Sequence, residues 1–155
     1  MLDNCKNAKE RWGGVSEIID RWLQERQDML VEYCSLSTTQ SFSEENEEQC
    51  KQLRRLCQIM MDYTSAGHFE VYGQLMREAK DFNDTNALEE ANGLYTQVEE
   101  TTDALLDFND KYQETDDFTT LQNDLSIIGE RLAARFEAED RMISVLHDAH
   151  KDMVA

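Results

Sequence analysis

The chain has 155 residues, with 33 Asp and Glu against 15 Lys and Arg, a net charge of −18, and 40% hydrophobic residues. That length suits one domain spanning 1–155, able to bury about two thirds of the surface its unfolded chain exposes, and the apolar share is too high for a disordered chain. So negative a field repels phosphates; it argues against direct binding to nucleic acid or an anionic membrane and favours a basic partner, such as a nucleic-acid-binding protein, although solubility alone would also account for it.

The amino-terminal stretch "MLDNCKNAKERW" lacks the apolar core of a signal peptide, and no segment has transmembrane length, so the expectation is a soluble, cytoplasmic protein. Gly13-Gly14 predicts a break between a short helix over 2–12 and a longer one carrying Val15, Ile18, Ile19, Trp22, Leu23, Met29, Leu30, Tyr33 and Leu36 at helical spacing. "SLSTTQSFSEENEEQ" reads as a loop and helix start, with Ser43 as N-cap and Glu44 and Glu45 in the first turn. The next helix places Leu53, Leu56, Cys57, Met60 and Tyr63 on one face and ends at Ser65-Ala66-Gly67. Another helix begins near His68 and runs to about Phe82. Asp84 or Thr85 then caps a helix over 86–114 with Leu88, Ala91, Leu94, Tyr95, Val98, Leu105, Phe108 and Tyr112 in register. The last helix, 117–151, carries Leu121, Leu125, Ile128, Leu132, Phe136, Ile143 and Leu146. Proline is absent and no stretch alternates at period two. The fold class predicted is therefore all-α: an elongated antiparallel bundle of four long helices plus short extra ones.

Little in the chain points to catalysis or a cofactor. Cys5, Cys34, Cys50 and Cys57 have no metal-ligand spacing, and Cys50 and Cys57 on one helix would lie about 10 Å apart along its axis, so all four read as free thiols. A di-iron bundle needs Glu-x-x-His pairs, and the residues three before His68, His147 and His150 are Ser65, Ser144 and His147. His147 and His150 could clip a metal, but without a third ligand they read as solvated. No nucleophile signature or phosphate-binding loop is present, so neither an enzyme nor a metal or cofactor site is expected.

Charges inside apolar stripes are more informative. Arg26 continues Ile19-Trp22-Met29-Tyr33, and Glu139 continues Leu132-Phe136-Ile143. Each must be paired or sit where the bundle opens, so a structural ion pair and a partner-lined cleft are both open readings. In "DYTSAGHFEVY" (62–72), Tyr63 and Tyr72 read as core, Phe69 as either core or docking anchor, and the helix start at 68 as a source of free amide donors.

Three blocks, "IIDRWLQERQDMLVEY" (18–33), "DYTSAGHFEVY" (62–72) and "IGERLAARFEAEDRMISVL" (128–146), resemble the Rsd/AlgQ family, the regulators of sigma D, and "NAKERWGGVSEIIDRWLQERQ" is similar to its AlgQ-like branch. The resemblance runs from residue 2 to about 150 and is weakest over 37–58 and 77–120. It implies a gammaproteobacterial anti-sigma factor: a helical bundle that binds region 4 of the primary sigma factor, keeps it from core RNA polymerase and the −35 promoter element, and favours alternative sigma factors. It carries over Asp62 as a sigma contact, with Ser65, Gly67, His68 and Phe69 beside it, the small-residue joint letting the partner approach closely. Arg26, Glu130, Arg135, Glu139 and Asp140 fall in matched blocks as cleft residues or as the polar interior of the bundle. The alternatives are a metal-binding, hemerythrin-like bundle and a generic acidic adaptor or DNA mimic, and further regulatory partners stay open.

Overall fold

A computed structural model describes residues 2–39, 41–43, 45–115 and 117–150, the side chains of 2–14 excepted. The elements are α1 (Leu2–Ser37), α2 (Glu47–Ala66), a π-helical turn (Gly67–Val71), α3 (Tyr72–Asp81), α4 (Thr85–Tyr112), α5 (Leu121–Ile143) and a second π-helical turn (Ser144–Asp148). The described residues contain no strand, and the architecture is the expected all-α bundle. No helix among them is long and apolar enough to cross a membrane.

Cross-helix contacts fix the topology. Trp22 and Arg26 meet Tyr63 while Glu32 meets Arg55, so α1 and α2 run antiparallel. Ser16 meets His147, Arg26 meets Asp140, and the Tyr33 hydroxyl donates to the Leu125 carbonyl, so α1 and α5 do too. Contacts from Glu90 to Arg141 and from Lys111 to Asp124 make α4 antiparallel to α5. Tyr72 packs on Tyr95, and Arg54 donates to the carbonyls of Tyr112 and Thr115, placing α2–α3 antiparallel to α4. Arg54 thereby satisfies the Tyr112 carbonyl at the carboxyl end of α4 and the Thr115 carbonyl just beyond it. The four rods form a square in which α2 and α5 face each other across the core. The predicted stripes supply that core: Val15, Ile19, Trp22, Met29 and Leu36; Leu53, Leu56, Met60 and Tyr63; Val98, Leu105 and Tyr112; Leu121, Leu125, Ile128 and Leu132.

Several boundaries differ from the sequence expectation. α1 passes through Gly13-Gly14 without a break. Glycine weakens a helix interior by about 1 kcal/mol, but it keeps its N–H and does not terminate a helix held by packing further along. The cap of α2 is Asn46, not Ser43. Its backbone is extended and its side chain accepts from the Gln49 amide, with Glu47 and Glu48 in the first turn. Ser43 lies in the preceding turn, where its amide donates to Gln49 Oε1; Glu44 lies outside the described residues. α5 begins at Leu121 because Asp117 turns the chain by accepting from the Thr119 amide and hydroxyl. Asp84 caps α4 as predicted, accepting from the Ala87 amide at 3.1 Å. Just before it, Asn83 takes the left-handed conformation (φ 56) that ends α3.

The largest difference is at Ser65-Ala66-Gly67, where no joint exists. The chain stays helical from Glu47 to Asp81 and takes one π-helical turn. The Gly67 amide donates to the Tyr63 and Thr64 carbonyls and the Tyr72 amide to the Gly67 carbonyl, so no helix start offers amides at His68. Gly67 is small for an inward reason, since a Cβ there would stand 3.0 Å from both the Trp22 ring and the Tyr72 hydroxyl.

Gly129 is a second close approach, with an added Cβ only 2.0 Å from the Tyr33 hydroxyl and 2.8 Å from its Cζ. Gly129→Ala should therefore lower stability by about 1–3 kcal/mol, although alanine is the better helix former by about 1 kcal/mol. Urea unfolding checks this; in a Tyr33→Phe background the same change should cost less, because the nearest atom is gone.

Candidate functional site

Where the four rods meet, a charge stands in the core. Glu139 is fully buried, and burial pushes its carboxyl above the ordinary carboxylate range, opposed by Arg135, the Tyr63 and Tyr72 phenols and Arg26. Tyr63 donates to Oε1 at 2.6 Å and Tyr72 to Oε2. The Arg135 Nε lies 3.4 Å from Oε2, too poorly directed for a hydrogen bond. Its Nη1 donates to the Thr101 and Thr102 hydroxyls at 3.0 and 2.9 Å, and its Nη2 to Tyr72 at 3.3 Å. Arg26 closes the outer side. Nε donates to the Tyr63 hydroxyl (3.0 Å) and Nη1 to Asp140 (2.5 Å), and the guanidinium sits 4.5 Å from the Phe136 ring centroid. Burial works against its charge, but Tyr63, Asp140 and Glu139 together hold the Arg26 pKa above its ordinary value. Burial and the Glu139 carboxylate raise both phenols, which stay protonated and donate.

Arg26, Arg135, Glu139 and Asp140 thus form one network reaching all four rods, with Asp140 exposed at its rim. Glu130 is exposed and outside it. The roles of Tyr63 and Tyr72 as its donors were not legible in the sequence, where both read only as core aromatics.

The carboxyl end of α5 holds a second polar cluster. His147 and His150 are buried rather than solvated. His147 Nδ1 lies 2.6 Å from the buried Glu78 carboxylate and Nε2 2.8 Å from Ser16 Oγ. His150 Nε2 bonds Asp84 at 2.8 Å, and its ring stacks on Phe82 with centroids 4.8 Å apart. Helical periodicity could not reveal either pairing, because the carboxylates come from α3 and the start of α4. Among the described residues no group of three or more His, Cys, Asp or Glu is placed to hold a metal. Cys34 and Cys57 are free thiols, and burial pushes Cys57 up to about 11; Cys5 lies outside the described side chains.

The outer face of the first π-helical turn differs from both clusters. Phe69 is 82% exposed, which removes it from the core. It packs edge-on against His68, whose Nδ1 lies 3.3 Å from the Tyr95 hydroxyl. Asp62, Ser65 and His68 are also exposed, whereas Gly67 is buried. Asp62 accepts from Gln58 at 2.9 Å and lies near Glu25. Burial, with Asp62 and Glu70 as further causes, raises the Glu25 carboxyl against the pull of Arg21. Beside Ser65, His68 and Phe69 runs a groove of about 560 Å³, walled on the far side by Glu99, Asp103 and Leu106 of α4 and floored by Tyr72, Val98 and Arg135.

These features define a class: an all-α bundle whose interior charges satisfy one another and whose distinctive surface is an exposed aromatic among carboxylates. The chain belongs to the Rsd/AlgQ family, regulators of the RNA polymerase sigma(70) subunit, whose model matches residues 1–147. It is 35% identical over 156 residues to a regulator of sigma D from Enterobacter sp. (strain 638), covering 96% of this chain and 91% of that relative. It is also 35% identical over 160 residues to a regulator of sigma D from Salmonella paratyphi B, covering 98% and 95%. The family is one of sigma-factor regulators.

Glu139 sets the stability test. Glu139→Ala leaves two guanidiniums facing a cavity and should cost about 3–5 kcal/mol. Glu139→Gln keeps the side-chain volume and one of the two oxygens that accept from the phenols, and should cost less. Thermal unfolding of the two variants separates the cost of the cavity from the cost of losing the charge and one acceptor.

Proposed function

We propose that the protein is an anti-sigma factor that binds region 4 of the primary sigma factor through the face carrying Asp62, Ser65, His68 and Phe69. By occupying region 4 it blocks contacts with core RNA polymerase and with the −35 element, so that alternative sigma factors compete better. The observation that carries this reading is the exposure of Phe69 (82%) on a carboxylate-rich face of a −18 chain. Aromatic side chains are enriched among the anchors of protein interfaces, and Phe69 is exposed beside a groove that also carries Leu106. Region 4 is a helix-turn-helix module whose Lys and Arg are arranged for phosphates, and carboxylates can take their place. Glu25, whose carboxyl is raised first by burial and then by repulsion from Asp62 and Glu70, adds to this, since a cation arriving beside Asp62 offsets part of that repulsion. Gly67 contributes from below, by allowing the helix bearing Phe69 to lie close on Trp22.

Association with region 4 should slow and weaken as salt rises, because the attraction is between this acidic chain and the basic side chains of that module. Stopped-flow on-rates at low and high ionic strength check this; a flat response would mean that the acidity serves solubility alone. Asp62→Ala should leave unfolding within about 0.5 kcal/mol of wild type and weaken binding by about 2 kcal/mol or more. Phe69→Ala should do the same, since its exposure leaves little core packing to lose. Titration calorimetry and thermal melts on the same preparations decide both, and unchanged binding in the two variants would move the interface off this face.

A further inference from the structure

The groove beside Phe69 has two unlike walls, and the proposed sigma-binding role does not by itself say what fills it. On one side stand Met61, Ser65 and Phe69; on the other stand Glu99, Asp103 and Leu106 of α4. Phe69 and Leu106, 82% and 37% exposed, offer apolar surface from opposite walls. Glu99 and Asp103 are four residues apart on one helix, one turn along the same face, and both are exposed. The floor includes the buried Arg135 guanidinium, held by Thr101 and Thr102 and balanced by Glu139.

This pattern sorts the side chains of any occupant. A basic side chain directed at the floor finds no free carboxylate, because Glu139 is already engaged by Arg135, Arg26 and the two phenols, whereas an apolar one packs on Tyr72 and Val98. Basic side chains are accommodated only along the α4 rim, beside Glu99 and Asp103. A second copy of the chain would bring another −18 to an acidic wall, so self-association is opposed, and nucleic acid is repelled for the same reason. A groove between two antiparallel helices suits a third helix that lays its apolar ridge into it.

We infer that the groove between the first π-helical turn and α4 receives an amphipathic helix of the sigma factor, with its apolar ridge between Phe69 and Leu106 and two basic residues one turn apart on Glu99 and Asp103. The inference rests on the sigma-binding role proposed above and adds α4 as a second, specificity-determining wall. Asp62 and Phe69 alone would admit many basic partners. The Glu99–Asp103 spacing selects those whose charges recur once per helical turn.

The test measures affinity of the full chain for full-length primary sigma factor, using wild type, Leu106→Asp, the double variant Glu99→Lys/Asp103→Lys, and Asp62→Ala as reference. All the altered positions are exposed, so thermal unfolding should stay close to wild type. Leu106→Asp and the double lysine variant should each weaken binding at least tenfold at low salt. The loss from the lysine pair should shrink as ionic strength rises, whereas the loss from Leu106→Asp should persist. Binding within twofold of wild type for both α4 variants, while Asp62→Ala loses it, would overturn the groove and leave the anti-sigma reading standing. A wild-type chain that does not bind the sigma factor at all would overturn both.

Discussion

The fold depends on how one buried carboxylate is neutralised. Glu139 sits where α1, α2–α3, α4 and α5 meet, fully shielded from water, and its two oxygens draw on two phenols and two guanidiniums. An unpaired charge there would be prohibitive, so the helices are held in the one register that brings Tyr63, Tyr72, Arg26 and Arg135 to it. Apolar packing would tolerate several sliding registers of a four-helix bundle; a hydrogen-bonded ion cluster does not. The aromatic cage around Arg26, with Trp22 stacked on Tyr63 at 4.8 Å and Phe136 beneath the guanidinium, follows from the same constraint.

The π-helical turn at Gly67–Val71 connects that interior to the surface. The wider turn rotates the residues that follow it relative to those before, so Tyr63 and Tyr72 both reach inward to Glu139 although they are nine positions apart. The outer side of the turn carries His68 and Phe69, which the same geometry leaves in solvent. Gly67 makes this possible by letting the turn close on Trp22. The interior network and the exposed face proposed for partner binding are therefore two sides of one local distortion.

The second π-helical turn, Ser144–Asp148, does comparable work at the far end of α5. It directs His147 to Glu78 and Ser16, while His150 just beyond it reaches Asp84. Asp84 serves twice, since the Ala87 amide and His150 both bond its carboxylate and hold it below the ordinary range. The carboxyl end of the bundle is thus tied to α1, α3 and the cap of α4 by polar contacts as well as by packing.

Much of this was legible in the residues alone. Helical spacing, the absence of proline and the Asp84 cap determine an all-α bundle and most of its core, because those signals are local. The three matched blocks likewise determine the family, and a −18 charge needs no coordinates. Local rules failed where a signal was ambiguous or the answer lay across the bundle. Gly13-Gly14 and Ser65-Ala66-Gly67 look like breaks, yet both stay helical at the modest cost glycine imposes. His147 and His150 look solvated because their carboxylates lie more than sixty residues away. Only the assembled rods decided that Glu139 is enclosed rather than lining a cleft, that Phe69 faces water, and that α4 supplies the opposite wall of the groove. Each of those depends on which helix lies across from the residue, and neither periodicity nor spacing along one chain encodes that.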